Sequence, residues 1–215
     1  MYDVYCYNSS STLACEIGPV WTNDTTPATD VVWTSGRLTK SGDQSRLLVG
    51  SFYTTSTTTT EDSVAKRYLS SLYNQVPASM SRVDTTGSWT VSSATFTQAN
   101  GSSSNQLNFV QSYPVNTVKA RVYQVGSSSA NNSFGTAGIG VNSTTVNSAP
   151  TYGATLSSAF LTAQIADYEA YATRGRNFWA WLEVKTAGGG GGTITFYGLG
   201  GTNQWQSGIS GTMFK

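Results

Sequence analysis

The run Arg176-Asn177-Phe178-Trp179-Ala180-Trp181-Leu182-Glu183-Val184-Lys185 constrains this chain more than any other stretch. It is the densest apolar run in a sequence thin in large hydrophobes, and aromatic and β-branched side chains favour a pleated, buried surface. It therefore reads as a central strand, closed by Arg174 and Arg176 before it and by Glu183 and Lys185 at its exit. Gly188 to Gly192 follow, five glycines that no helix or strand interior tolerates. Thr193-Ile194-Thr195-Phe196-Tyr197-Gly198 then alternates with period two. Strand, glycine loop and strand predict a hairpin whose aromatic side needs a second sheet to bury it.

The rest of the chain is punctuated like an all-β protein, with strand-like runs broken by turn signals. Tyr2 to Tyr7 and Leu13 to Ile17 form a first hairpin; Val31 to Trp33, Arg37 to Lys40 and Leu47 to Tyr53 are further strands. Thr54 to Thr60 is a low-complexity loop. Asp62 to Tyr73 is ambiguous: Asp62 or Ser63 could cap a helix carrying Val64, Tyr68, Leu69 and Leu72, or the same stretch could be an edge strand. Ser88 to Phe96 stops at the turn dipeptide Asn100-Gly101, and Gln106 to Val110 stops before Pro114. Val115 to Val125, Phe134 to Val141, Tyr152 to Ile165 and Gln206 to Phe214 supply the remaining strands, with Asp167 to Thr173 as a loop. The glycines of Phe134 to Val141 fit a strand crossed closely by other backbone or bent at a corner. About ten strands and no convincing helix predict an all-β, two-sheet antiparallel sandwich, jelly-roll-like, in one domain spanning 1–215.

Ser and Thr make up roughly a quarter of the chain and only 11% of it is charged, a bias that in another sequence would suggest disorder. Six Trp, twelve Tyr and eight Phe argue for a filled core instead. A net charge of +1, with scattered basic residues, offers no electrostatic footprint for nucleic acid. No apolar run is long enough to span a membrane. Met1 leads straight into the alternating Tyr2-Asp3-Val4-Tyr5-Cys6-Tyr7, without a basic-then-apolar leader, which predicts that an N-terminal anchoring segment is missing.

The chain has no histidine, which removes Ser-His-Asp and Cys-His catalysis, histidine zinc sites and the commonest general base near neutral pH. The glycine run lacks the Lys and Ser/Thr of a phosphate loop and precedes a strand. Glu61 with Asp62, and Asp167 with Glu169, are the close carboxylate pairs. The first two point to opposite faces of any extended stretch; the second two could share a face but read as solvated loop charge. No catalytic residue, metal site or cofactor is therefore expected. Trp33, Tyr152, Asn203 and Trp205 stand near predicted turns and are the candidates for contact with a glycan or receptor, although such residues more often serve cores and turns. The sequons at Asn8, Asn23, Asn100, Asn131 and Asn142 follow from the abundance of Ser and Thr. Cys6 and Cys15 face each other if Asn8 to Leu13 is a hairpin tip, and allow one disulfide at most; two reduced, buried thiols are the favoured expectation.

Tyr2-Asp3-Val4-Tyr5, Trp21-Thr22-Asn23-Asp24-Thr25-Thr26, Lys40-Ser41-Gly42-Asp43 and Glu61-Asp62-Ser63-Val64-Ala65-Lys66-Arg67-Tyr68 stand in this order. Tyr73-Asn74, Ser88-Trp89-Thr90, Gln98-Ala99-Asn100-Gly101, Trp181-Leu182-Glu183, Tyr197-Gly198 and Gln206-Ser207-Gly208 follow. In this order and spacing they resemble a family of virion-associated proteins of tailed bacteriophages, and the resemblance covers nearly the whole chain. It implies a structural protein on the particle surface, of fibre or capsid-decoration type, commonly a homotrimer and located on the virion. Its implied partners are copies of itself, other virion proteins such as a major capsid or fibre-anchoring protein, and for a fibre a host-surface glycan. The resemblance favours a strand for Asp62 to Tyr73 and, because relatives carry aliphatic residues at Cys6 and Cys15, free thiols. Relatives often have a His in the strand before Trp181; Phe178 and Trp179 stand there in this chain. A polysaccharide-degrading enzyme and a carbohydrate-binding module are the competing expectations.

Overall fold

The structure is a computed structural model and describes residues 1–150, 154–189, 192–200 and 206–215. Its strands form three six-stranded sheets. The N-terminal sheet holds β1 (Tyr2–Ser9), β2 (Thr12–Ile17), β3 (Val31–Thr34), β4 (Arg37–Lys40) and β5 (Asp43–Phe52) in the order β2-β1-β5-β4-β3, with β7 (Leu69–Ser71) also on β5. The second sheet runs β14 (Ala154–Leu156), β13 (Ser133–Val141), β16 (Gly175–Gly189), β11 (Gln106–Gln111), β6 (Lys66–Arg67), with β10 (Thr97–Gln98) also on β16. The third runs β8 (Pro77–Val83), β18 (Gly208–Phe214), β12 (Thr117–Ser128), β17 (Ile194–Tyr197), β9 (Ser88–Val91), with β15 (Thr162–Tyr171) on the other edge of β12. All pairings between these strands are antiparallel except β6 with β11.

The second and third sheets make the sandwich. Their inner faces share one apolar core, to which β16 gives Trp179 and Trp181, β11 gives Leu107 and Phe109, and the third sheet gives Trp89, Val118, Val122, Phe196, Ile209 and Met213. Trp181 lies edge-on to Trp89 at 5.7 Å, and Trp179 edge-on to Phe109 at 5.9 Å, the arrangement aromatic quadrupoles prefer. The opposite face of β16 is covered as well: Ala180, Leu182 and Val184 are buried. A Cβ on Gly140 of β13 would run into the Ser143 carbonyl, the close backbone approach expected of these glycines, whereas Gly135 and Gly138 make room for packed side chains instead.

The all-β antiparallel sandwich expected from the pattern is present, with eighteen strands among the described residues rather than about ten, and with a third sheet. The expected hairpin around Gly188 to Gly192 is not formed. β16 belongs to the second sheet and β17 pairs with β12 and β9 in the third, so the two strands lie in different sheets. Adjacent strands in sequence here bury their faces against each other instead of sharing a ladder. Asp167 to Thr173, expected as a loop, is largely strand, because the charges of β15 sit on its outward positions while Gln164 and Ala166 point in. Asp62 to Tyr73 forms the short strands β6 and β7.

The N-terminal sheet has a small apolar cluster around Tyr5, Leu38, Leu48 and Leu72, and a second cluster joins Met1, Trp21 and Tyr68 to Val110 of β11 in the sandwich. Two arginines at the start of β16 tie it to the sandwich. Arg174 donates to Asp3 at 2.8 Å and to the Ser112 carbonyl at 3.1 Å, and stacks over the Trp21 ring. Arg176 donates to Asp24 at 2.7 Å and lies over the rings of Tyr53 and Tyr68. The free thiols expected at Cys6 and Cys15 are instead a disulfide. The β1–β2 register sets the two residues directly opposite, with Cα atoms 4.0 Å apart, close enough for a bridge. Ser10 and Ser11 both adopt left-handed φ at the hairpin tip, which is the turn that fixes this register.

Candidate functional site

Period two along β16 puts Glu183 on the same face as Trp179 and Trp181, inside the sandwich, where it is 2% exposed. Its Oε2 accepts the Trp89 indole N–H at 2.8 Å, a bond that spans the two sheets. Its Oε1 accepts the backbone N–H of Asn100 at 2.9 Å. Asn100 sits in a single 3₁₀ turn (Ala99–Gly101) with φ of 54°, a left-handed conformation that Asn tolerates better than most residues. That conformation lets its side-chain amide reach Asp84 Oδ2 at 3.1 Å and Thr86 Oγ1 at 2.9 Å. Asp84, also buried, accepts further bonds from the Asn105 amide at 2.5 Å and the Thr86 N–H at 2.8 Å.

The two carboxylates are therefore bridged by one asparagine and pushed apart in acidity. Burial drives the Glu183 carboxyl up to about 7 against the opposing bonds from Trp89 and Asn100, and the charge of Asp84 pushes the same way as burial. Burial also works against charge on Asp84, yet the donors Asn105, Thr86 and Asn100 hold it below the usual carboxylate range. One neutral-leaning and one ionised carboxyl is the pattern of acid–base pairs. Here, however, both acids are closed off from solvent and engaged by protein donors, so the set joins the sheets and leaves no place for a substrate. Sequence reasoning placed Glu183 among the charges closing the strand; its parity with Trp179 and Trp181 was the signal for burial.

The carboxylate pairs singled out from the sequence are each neutralised. Asp167 meets Arg121 at 2.6 Å and Glu169 meets Lys119 at 3.2 Å, while Glu61 meets Lys66 at 2.9 Å. Asp62 pairs with Arg67 at 3.3 Å and with Lys215. Asp167 and Glu169 do share a face, the outer face of β15. Hydrogen bonds from Thr117 and Lys119 hold the Glu169 carboxyl below its ordinary range. Among the described residues no group of three or more acids or cysteines is arranged to hold a metal ion.

Of the four candidate contact residues, Trp33 is 60% exposed on the edge strand β3. Its indole N–H donates to the Tyr113 hydroxyl at 3.3 Å, and the rings meet edge-on at 6.0 Å. Tyr152, Asn203 and Trp205 lie outside the described residues. Two exposed sheet faces complete the surface. The outer face of the N-terminal sheet is apolar, with Leu13 and Ile17 exposed and a groove of about 280 Å³ beside Val4, Val49, Phe52 and Leu69. The outer face of the third sheet is polar, with ion pairs between β12 and β15 and a trough of about 480 Å³ lined by small residues of β8 and β18.

No protein-family model and no curated protein matches the chain. Among solved structures, a chain in the structure of the infectious bursal disease virus Gx strain is similar over 99% of this chain at 11% identity, with a TM-score of 0.31. The match covers 56% of that chain, so this protein spans little more than half its length. At such a TM-score the architecture rests on this chain's own ladders and core.

Proposed function

We propose that this chain is a structural protein on the surface of a bacteriophage virion, the β-sandwich of a fibre or capsid-decoration protein without catalytic activity. It assembles with copies of itself, as a homotrimer in the form the resemblance implies, and with other virion proteins. The observation that carries this reading is the convergence in space of the scattered motifs behind the resemblance. Trp89 of Ser88-Trp89-Thr90, Asn100 of Gln98-Ala99-Asn100-Gly101 and Glu183 of Trp181-Leu182-Glu183 form one hydrogen-bonded set between the sheets. Asp3 and Asp24, each in another of the motifs, receive Arg174 and Arg176, and Tyr68 packs on Arg176. The residues behind the resemblance thus sit where the sheets join.

The test is mass spectrometry and cryo-electron microscopy of purified virions of the phage that encodes the chain. Density matching the sandwich at regular capsid sites makes it a decoration or head-fibre protein; density at the tail makes it a receptor-binding fibre. Absence of the chain from the purified particles overturns the reading. One observation favours host attachment as a second role: the exposed Trp33 ring, held edge-on by Tyr113, presents an open face of the kind that stacks on sugars. Glycan-array binding that is lost in Trp33→Ala supports that role, and equal binding by the variant removes it.

A further inference from the structure

The outer positions of β12 are Thr117, Lys119, Arg121 and Tyr123, and the antiparallel register sets Tyr171, Glu169, Asp167 and Ile165 of β15 directly opposite them. The face therefore carries a basic column on one strand and an acidic column on the next, rung by rung. Both ion pairs are solvent-exposed on either side, so they do little for folding. Columns of opposite sign on an open face instead specify how that face meets another.

We propose that this face docks a second copy of the chain across a two-fold axis lying parallel to β12 and β15, midway between them. That operation lays β12 of each copy over β15 of the other. Lys119 then meets Glu169 of the second copy, Arg121 meets Asp167, Tyr123 meets Ile165 and Thr117 meets Tyr171. Every rung is complementary to itself under this one operation, which is the requirement of an isologous contact. A two-fold perpendicular to the strands would lay the basic column over itself. Pairing β15 edge to edge with its copy would bring two acidic columns within about 5 Å, where like charges destabilise. The trough beside β12, walled by Ser79, Ser81, Ser210 and Thr212, leaves room for the overhanging edge of the second copy.

The ten residues of β15 span roughly 33 Å and two strand widths cover roughly 10–14 Å, so the contact buries on the order of 800 Å² in all, the size of a weak association. Such contacts act when many copies are held close together, and they weaken as salt screens the rungs. The contact deepens the virion-surface reading by naming a surface through which copies or trimers touch, yet it fails separately from it, because it is measured on the isolated chain.

Sedimentation velocity over a dilution series at low salt tests it, with three proteins. The unaltered chain associates reversibly to twice the mass of the unit, single chain or trimer, present at the highest dilution, and this dimerisation weakens at least tenfold at high salt. An all-acidic face (Lys119→Glu with Arg121→Asp) and an all-basic face (Asp167→Arg with Glu169→Lys) each stay at that unit mass at every concentration, and the two mixed together form a heterodimer of those units. Thermal unfolding of each variant checks that it is folded. Heterodimer formation by two folded variants that do not self-associate is a result that a purely intramolecular role for the ion pairs does not produce. A parent whose mass never doubles at any concentration, a doubling that persists in either variant, or a mixture that does not double overturns the proposal; cryo-electron microscopy of the virion bears on the other reading alone.

Discussion

The buried carboxyl of Glu183 should make this protein less stable as pH rises through neutrality, the reverse of the usual behaviour of a carboxylate. Its folded-state acidity lies near 7 against 4.5 for the free side chain, so the folded protein holds a proton there that the unfolded chain has already released. The stabilisation is complete below about pH 4.5, declines as pH rises from there to about 7, and is gone above it. That difference is worth roughly 3 kcal/mol in all, most of it lost between about pH 5 and pH 8. With no histidine in the chain, that window is nearly empty of other groups. The N-terminal amine is lowered, by burial first, so it binds fewer protons when folded and its contribution runs the opposite way. The carboxyls of Asp84, Glu61 and Glu169 are lowered and lose their contribution only in more acidic solution. Urea unfolding at both ends of the window measures the difference directly. Glu183→Gln should abolish the slope: it costs about 1–3 kcal/mol at the acidic end, because an amide cannot accept from both the Trp89 and Asn100 donors, and that cost should vanish or change sign at the alkaline end, where the parent carries a buried charge that the amide does not. A parent protein equally stable at both pH values, or a slope that survives in Glu183→Gln, refutes this account.

Reducing the Cys6–Cys15 bridge frees a short hairpin and should lower stability by about 2–3 kcal/mol, read as a drop in Tm on adding reductant that is absent in the Cys6→Ser, Cys15→Ser double variant. Arg174→Ala strands the buried Asp3 carboxylate and should cost about 3–5 kcal/mol in urea unfolding; little loss would mean that the Ser51 hydroxyl, 2.6 Å from Asp3, suffices. Trp33→Ala should leave the unfolding free energy within about 0.5 kcal/mol of the parent, since the ring is largely exposed, so that any loss of glycan binding in that variant reads on contact alone.

Local pattern made strands legible and left their pairing hidden. Trp179 and Trp181 read as a buried strand because composition and alternation are properties of the segment itself, and they are buried. Whether β16 pairs with β17 depends on where β13 and β11 come to lie, from far earlier in the chain, and those two strands occupy both its edges. A glycine run is equally good chemistry for a tight turn and for a crossing between sheets, so Gly188 to Gly192 could not decide the matter. The same limit explains Cys6 and Cys15: their spacing permitted a bridge, and only the register set by Ser10 and Ser11 brought them opposite. Glu183 was the most instructive case. A charge at the end of an apolar run reads as a strand exit, but three residues of one parity, Trp179, Trp181 and Glu183, already pointed the carboxyl inward. Its partners Trp89 and Asn100 lie 94 and 83 positions upstream, beyond any periodicity argument. Burial between sheets that pack across that distance, working against those bonds, gives the fold its buried acid of near-neutral pKa, and with it a pH dependence that a strand-by-strand reading would assign the wrong sign.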